Sequence, residues 1–133
     1  MAGIIAVADD LFFVAKMQQT AKQVGAELRL VRAADFHREG FKADKPALVI
    51  FDLNAPSADV VELIRQMKGD DDWKAVPVVA FLSHVQVDLQ RAAQQAGADQ
   101  VLPRSKFSAN LAEILRHHAE PVPSDQPPPT SPG

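Results

Sequence analysis

Three short stretches of uninterrupted apolar residues constrain the fold of this chain more than any other feature of the sequence. They occupy residues 3–8, 47–51 and 76–82. Short runs rich in valine and isoleucine are typical of β-strands that are buried on both faces. Two weaker strand candidates, residues 27–31 and 100–102, alternate in polarity or are short. Those properties are expected of strands at the edges of a sheet.

Between the strand candidates, apolar residues recur every three or four positions, which is typical of amphipathic helices. The clearer stripes are Phe13, Met17, Ala21 and Val24; Val60, Ile64 and Met67; Val85, Leu89 and Ala92; and Phe107, Leu111, Ile114 and Leu115. Residues 33–43 form a further candidate helix, and Gly25 and Gly97 stand where helices are expected to end. Five β-α repeats predict an α/β fold with a doubly wound parallel sheet. The expected strand order is 2-1-3-4-5, the flavodoxin-like order, which places the three most apolar strands inside.

The length of 133 residues suits one domain, expected over residues 1–118. Residues 119–133 are rich in proline and nearly lack large apolar side chains, which predicts a disordered tail. A solvated tail is the favoured interpretation, and a ligand for a proline-reading module is the alternative.

Composition excludes several classes of function. The chain has no cysteine, so disulfides, thiolate metal sites and cysteine nucleophiles are ruled out. A net charge of −3 gives no reason to expect nucleic-acid binding. No apolar stretch approaches the roughly 20 residues of a membrane span, and no signal peptide is recognisable. We therefore expect a cytoplasmic protein without nucleic-acid or membrane partners.

Polar residues follow the ends of four predicted strands: Asp9 and Asp10, then Asp52, then Ser83, then Arg104. Because ligands of doubly wound sheets bind at the carboxyl ends of the strands, these side chains should meet in one crevice. Three neighbouring carboxylates repel one another, so a cation is expected among them, and Mg²⁺ suits an all-oxygen site. The alternative is that Asp9, Asp10 and Ser83 only cap helices.

A carboxylate beside a metal ion can act as a nucleophile toward phosphorus and form an acyl phosphate. Asp52 is the candidate nucleophile. The charge on the transferred group would then be stabilised by the metal, by Arg104 and by the Ser83 hydroxyl.

Four segments resemble the receiver domain of two-component response regulators. They are IAVADD at residues 5–10, LVIFDLNAP at 48–56, VPVVAFLS at 76–83 and GAD at 97–99, and the resemblance covers roughly residues 3–117. It implies that Asp52 is the phosphoacceptor and that Asp9 and Asp10 bind Mg²⁺ together with Asp52 and the backbone carbonyl of Asn54. It also implies that Ser83 moves toward the phosphoryl group on activation.

The resemblance further implies a signalling switch rather than an enzyme with a turnover substrate. A histidine kinase or phosphotransfer protein would donate the phosphoryl group. No output domain follows in this sequence, so a stand-alone receiver, monomeric or weakly dimeric, is expected to act by contact with an unknown downstream protein.

Among the positions that depart from the family pattern, three bear on phosphorylation. Arg104 stands where the family has lysine, Val101 where it has an aromatic residue, and His84 where it has a small one. These departures support an alternative function, a pseudo-receiver that binds partners without being phosphorylated. A phosphohydrolase of another doubly wound family is a third hypothesis. Such enzymes need a second aspartate where Asn54 stands.

Overall fold

A computed structural model describes residues 3–37, 45–83 and 86–118 of the chain. Its centre is a five-stranded sheet in the order β2-β1-β3-β4-β5, with every neighbouring pair parallel. The strands are β1 (Ile4–Val7), β2 (Leu28–Val31), β3 (Leu48–Asp52), β4 (Val78–Leu82) and β5 (Gln100–Pro103). The predicted strand order is confirmed. All residues of β1, β3 and β4 are buried, whereas β2 and β5 are only partly so.

Helices cover both faces of the sheet. They are α1 (Leu11–Val24), α2 (Val60–Lys68), α3 (Val87–Ala96), α4 (Arg104–Ala109) and α5 (Leu111–His118). Buried residues of α1, α4 and α5 share one hydrophobic cluster with the sheet, and those of α2 and α3 share the other. None of the helices in the three described ranges is both long enough and apolar enough to cross a membrane.

The connection between β2 and β3 differs from the helix predicted over residues 33–43. Ala33–Asp35 form a single 3-10 turn, and Phe36 after it has an extended backbone. The extended backbone places the Phe36 ring in the core, edge-on to Phe51 and Trp73. Burial of this ring therefore takes precedence over continued helix formation. Residues 38–44 lie outside the described ranges.

The last predicted helix is divided at Asn110 into α4 and α5. The Asn110 side chain donates a hydrogen bond to the carbonyl of Lys106 at 2.9 Å. Such local side-chain bonds compete with regular helix geometry. The apolar stripe nevertheless stays on one side, since Phe107, Leu111 and Leu115 are all buried in the same cluster.

Two glycines end helices as predicted. Gly25 follows α1 with φ 75° and Gly97 follows α3 with φ 116°. Both lie in the left-handed region, which side chains with a Cβ rarely adopt. These stops turn the chain back toward the amino ends of β2 and β5, so that every strand runs toward the same edge of the sheet.

Candidate functional site

The carboxyl ends of four strands bring the predicted site residues to one edge of the sheet. Strand register places the end of β1 beside β3, Asp52 beside Phe81 of β4, and Leu82 beside Pro103 of β5. Asp9 and Asp10 follow β1, Asp52 ends β3, Ser83 follows β4 and Arg104 follows β5.

Asp52 is the one buried charged side chain in the described ranges, with 6% of its surface exposed. One of its carboxylate oxygens, Oδ1, accepts a hydrogen bond from the Asn54 amide at 2.9 Å. Burial raises the pKa of Asp52 above the usual value for aspartate, and the nearby charges of Asp10 and Asp9 add to this. The Asn54 amide and the Arg104 charge oppose the rise without cancelling it.

Asp10 joins α1 to Arg104. Its Oδ1 accepts hydrogen bonds from the amides of Phe12 and Phe13 and so caps α1. Its Oδ2 accepts a bond from Nη2 of Arg104 at 2.7 Å. The Arg104 bond and the amides of α1 lower the pKa of Asp10, so its carboxylate stays ionised. The helix-capping interpretation is therefore right for Asp10, but capping uses only one of its two oxygens.

Asp9 holds two loops to the end of β1 instead of capping a helix. Its Oδ1 accepts a hydrogen bond from the amide of Ala33 at 3.0 Å, and its Oδ2 accepts one from the amide of Ser57 at 2.9 Å. Burial raises the pKa of Asp9, but the hydrogen bonds from Ala33 and Ser57 outweigh it and the pKa is lowered. Asp9 thus links β1 to the segments that follow β2 and β3.

Asn54 connects Asp52 to the segment between β4 and α3. Its Oδ1 accepts hydrogen bonds from the backbone amide and the hydroxyl of Ser83, at 2.7 and 3.1 Å. Its Nδ2 donates to the side chain of Gln86 at 2.8 Å. The N-cap residue of α3 is Gln86, so Ser83 is not the cap of that helix. His84 lies outside the described ranges.

Arg104 rests on an aromatic cluster at the start of α4. The guanidinium carbon is 4.3 Å from the centre of the Phe13 ring and 6.0 Å from that of Phe81. Phe107 stacks on Phe81 with 4.5 Å between ring centres. Cations over aromatic faces are attracted by the ring quadrupole, so the cluster and Asp10 together fix the position of the guanidinium.

The donor chemistry of this site suits a divalent metal ion, because three carboxylates and backbone carbonyls are the oxygen ligands that Mg²⁺ prefers. Their placement differs from a metal-binding one. Nowhere in the described ranges do three or more His, Cys, Asp or Glu side chains form a metal-binding group. The Asp9 oxygens face backbone amides and one Asp10 oxygen faces Arg104, so a metal ion would need Asp10 to exchange its partner.

Comparison with known proteins places the chain in a family. The sequence model of the response regulator receiver domain family matches residues 4–116. The chain belongs to the response regulator receiver domain family. The transcriptional regulatory protein KdpE of the KDP operon, from Escherichia coli K12, is 30% identical over 121 residues. The match covers 86% of this chain and 52% of KdpE, so this receiver spans about half of that relative.

Solved receiver structures share the fold. The manganese-bound form of response regulator Rcp1 superposes with a TM-score of 0.68 at 21% identity, over 88% of this chain and 91% of Rcp1. The phosphorylated cyanobacterial phytochrome response regulator RcpA superposes with a TM-score of 0.69 at 20% identity, over 87% and 89% of the two chains. These likenesses confirm the predicted fold, and the family assignment confirms the predicted resemblance.

Three features of the receiver site were missed in the sequence. Gln86 binds Asn54, Ser57 supplies an amide to Asp9, and Phe13 carries the Arg104 guanidinium. Gln86 and Ser57 lie in connecting segments, where no periodic pattern marks a side chain. The sequence pattern marks Phe13 only as a core position of α1.

Proposed function

We propose that this receiver is a phosphorylation-dependent signalling switch in which Asp52 accepts the phosphoryl group in the presence of Mg²⁺. The observation that carries the proposal is the burial of a single acid at the carboxyl end of the central strand β3, with Asp9, Asp10, Arg104 and Ser83 on the adjoining strand ends. A buried carboxylate is costly, and such groups concentrate at functional sites.

In this mechanism an Asp52 oxygen forms a bond to phosphorus while the bond from phosphorus to the donor atom breaks, and the donor leaves with that electron pair. The Asn54 amide holds Oδ1 of Asp52 and fixes the carboxylate plane. Arg104 supplies a positive charge and Ser83 a hydroxyl donor for the phosphoryl oxygens. Asp9, Asp10, Asp52 and the carbonyl of Asn54 would hold the metal ion, which would offset the charge of the incoming phosphate.

Phosphorylation would be sensed through Asn54 and Ser83. In the unphosphorylated state the Ser83 hydroxyl donates to Asn54, which also binds Gln86 at the start of α3. A phosphoryl group on Asp52 is a stronger acceptor than an amide oxygen, so it would draw Ser83 away from Asn54. The change would be passed to α3 and to the surface formed by α3, β5, α4 and α5.

The partners follow from the family. A histidine kinase or phosphotransfer protein would supply the phosphoryl group, and an unidentified downstream protein would bind the altered surface in the cytoplasm. The manganese-bound structure of Rcp1 and the phosphorylated structure of RcpA support metal binding and phosphorylation here by analogy. The receiver would occupy residues 1–118, act as a monomer or weak dimer, and catalyse only its own modification. The tail predicted over residues 119–133 lies outside the described ranges.

The test is incubation of the protein with Mg²⁺ and a small acyl phosphate, followed by intact mass and amide NMR spectra. We expect the mass of one phosphoryl group and shifts of the Asp52, Asn54 and Ser83 amides, both absent in Asp52→Asn. Asp71→Asn is the matched control, because Asp71 is 92% exposed and precedes β4 at the opposite end of the sheet. Unmodified Asp52 in the presence of a cognate kinase and Mg²⁺ would refute the proposal.

The pseudo-receiver is a second candidate that one observation favours. The ion pair of Arg104 and Asp10 already neutralises one acid without a metal ion. A site that is balanced in this way could serve a constitutive binding module. That function predicts no phosphoryl mass and the same partner binding by the wild type and Asp52→Asn.

A further inference from the structure

We propose that Arg104 is the resting counter-ion of Asp10 and that a divalent metal ion must displace it to bind. The inference rests on the proposed function only in assuming that the acidic site takes a divalent ion. It concerns two cations, one belonging to the protein and one from solution, that alternate on a single carboxylate.

The contacts of Asp10 make the competition direct. Its Oδ1 is committed to the amides of Phe12 and Phe13, which cap α1. Its Oδ2 is the oxygen that could bind a metal ion, and Nη2 of Arg104 is hydrogen-bonded to it at 2.7 Å. A guanidinium and a metal ion cannot share this oxygen at close range without strong repulsion between two cations.

The surroundings of Arg104 favour this position but leave one of its donors unsatisfied. Contact with the Phe13 ring at 4.3 Å and the bond to Asp10 favour the resting position. However, the side chain is 30% exposed, and its buried Nε has no hydrogen-bond partner in the described part of the chain. An unsatisfied buried donor is unfavourable. The guanidinium therefore loses fewer hydrogen bonds on leaving Asp10 than a fully hydrogen-bonded arginine would lose.

A cleft beside the ion pair of Asp10 and Arg104 could receive the displaced guanidinium. A cleft of about 530 Å³ is lined by Asp10, Phe12, Lys16, Arg104 and Ser105, together with Ser83. A displaced Arg104 could enter this cleft without repacking the core. Metal binding at the acidic residues and release of the Arg104 guanidinium from Asp10 would then occur together in one step.

The first experiment measures Mn²⁺ and Mg²⁺ affinity by isothermal titration with no phosphodonor present. Arg104→Gln removes the competitor, so we expect metal affinity to rise about tenfold over the wild type. Lys16→Gln is the matched control. It removes a positive charge from the same cleft, but Lys16 does not bind Asp10, so it should raise affinity no more than about twofold. Equal affinities of wild type and Arg104→Gln, or no metal binding by either, would overturn the proposal.

The second experiment needs no variant. A guanidinium over an aromatic ring has ring-current-shifted NMR signals. The side-chain signals of Arg104 should therefore move toward their ordinary positions as Mg²⁺ is added, with the same midpoint as the Asp10 amide. Arg104 signals that stay in place while the Asp10 amide shifts would contradict displacement.

The two proposals can fail separately. Tighter metal binding by Arg104→Gln, together with no phosphorylation of Asp52 in the wild type by a cognate kinase, would leave the displacement intact and refute the switch. Phosphorylation of Asp52 in the wild type, together with unchanged metal affinity in Arg104→Gln, would do the reverse.

Discussion

Asp52 combines two properties that oppose each other, burial among apolar residues and a negative charge. The residue before it, Phe51, and its neighbour across the ladder, Phe81, are 0% and 1% exposed. Removing a carboxylate from water is unfavourable unless its hydrogen bonds and counter-charges compensate. Here the compensation is incomplete, as the raised pKa of Asp52 indicates. Ionised Asp52 is therefore expected to lower the stability of the fold.

At the residue scale, we expect Asp52→Asn to raise the free energy of unfolding by roughly 0.5–2 kcal/mol at neutral pH. Because the folded-state pKa of Asp52 is above the unfolded value of 3.8, its destabilising effect is full above the folded pKa. That effect fades as pH falls through the folded pKa and is absent below the unfolded one. Urea unfolding of both proteins across this range would measure the difference, and a gain that grows in acid would contradict the assignment.

At the scale of single elements, the ends of the helices position the site. Asp10 caps α1, Gln86 is the N-cap residue of α3, and α4 starts directly after β5 with Arg104 as its first residue. Direct entry from β5 into α4 sets the Arg104 side chain over Phe13, while Phe107 one turn later stacks on Phe81. The guanidinium is thus positioned by packing of α4 on β4 and α1.

The two glycines at helix ends give a prediction at this scale. In Gly25→Ala the new Cβ would meet no atom within 4 Å. The variant should lower the free energy of unfolding by about 1 kcal/mol, because alanine is strained in the left-handed backbone conformation. In Gly97→Ala the new Cβ would lie 2.6 Å from Cγ of Lys68. Lys68 cannot yield freely, since its amine bonds Lys74, Val76 and Asp99.

We therefore expect Gly97→Ala to lower the free energy of unfolding by about 2–3 kcal/mol, which is more than Gly25→Ala should lower it. Thermal and urea unfolding of the two variants would measure both costs. Equal costs would mean that the Lys68 side chain moves aside without loss of its hydrogen bonds.

At the scale of the whole molecule, a chain of polar contacts links the interior to the surface. Asp52 binds the backbone amide of Asn54, the Asn54 side chain binds Ser83 and Gln86, and Gln86 is the N-cap residue of α3. These contacts cross from β3 to the segment after β4, two strands that are paired in the sheet. The effect of a new charge at Asp52 would therefore be transmitted to α3 through these hydrogen bonds, without a change in the apolar core.

The corresponding prediction separates phosphorylation from its transmission. Ser83→Ala keeps Asp52 and the acids, so it should still gain the phosphoryl mass. It lacks the hydroxyl that would leave Asn54, so the amide shifts of α3 and β5 on phosphorylation should fall to about half or less of the wild-type values. Amide NMR spectra of the two phosphorylated proteins would measure this, and undiminished shifts in α3 would show that the signal takes another route.

The fold could be predicted because it depends on patterns that are local in the sequence. The apolar runs that became β1, β3 and β4 have a composition typical of interior strands, and Gly25 and Gly97 mark helix ends by their backbone freedom. The helix predicted over residues 33–43 was wrong in its first part, because Phe36 is drawn into contact with Phe51 and Trp73. Such contacts join distant residues, so no local pattern reveals them.

The sequence by itself determined which residues gather at the strand ends, since in a doubly wound parallel sheet the residues after each strand must meet at one edge. Only the tertiary structure decided which hydrogen-bond partners each of these residues has. Asp9 accepts hydrogen bonds from the amides of Ala33 and Ser57, and Asp10 accepts one from Arg104. Residue type fixes the charge of each group, but its partner depends on distances and directions of about an ångström, and these are set only when the elements pack together.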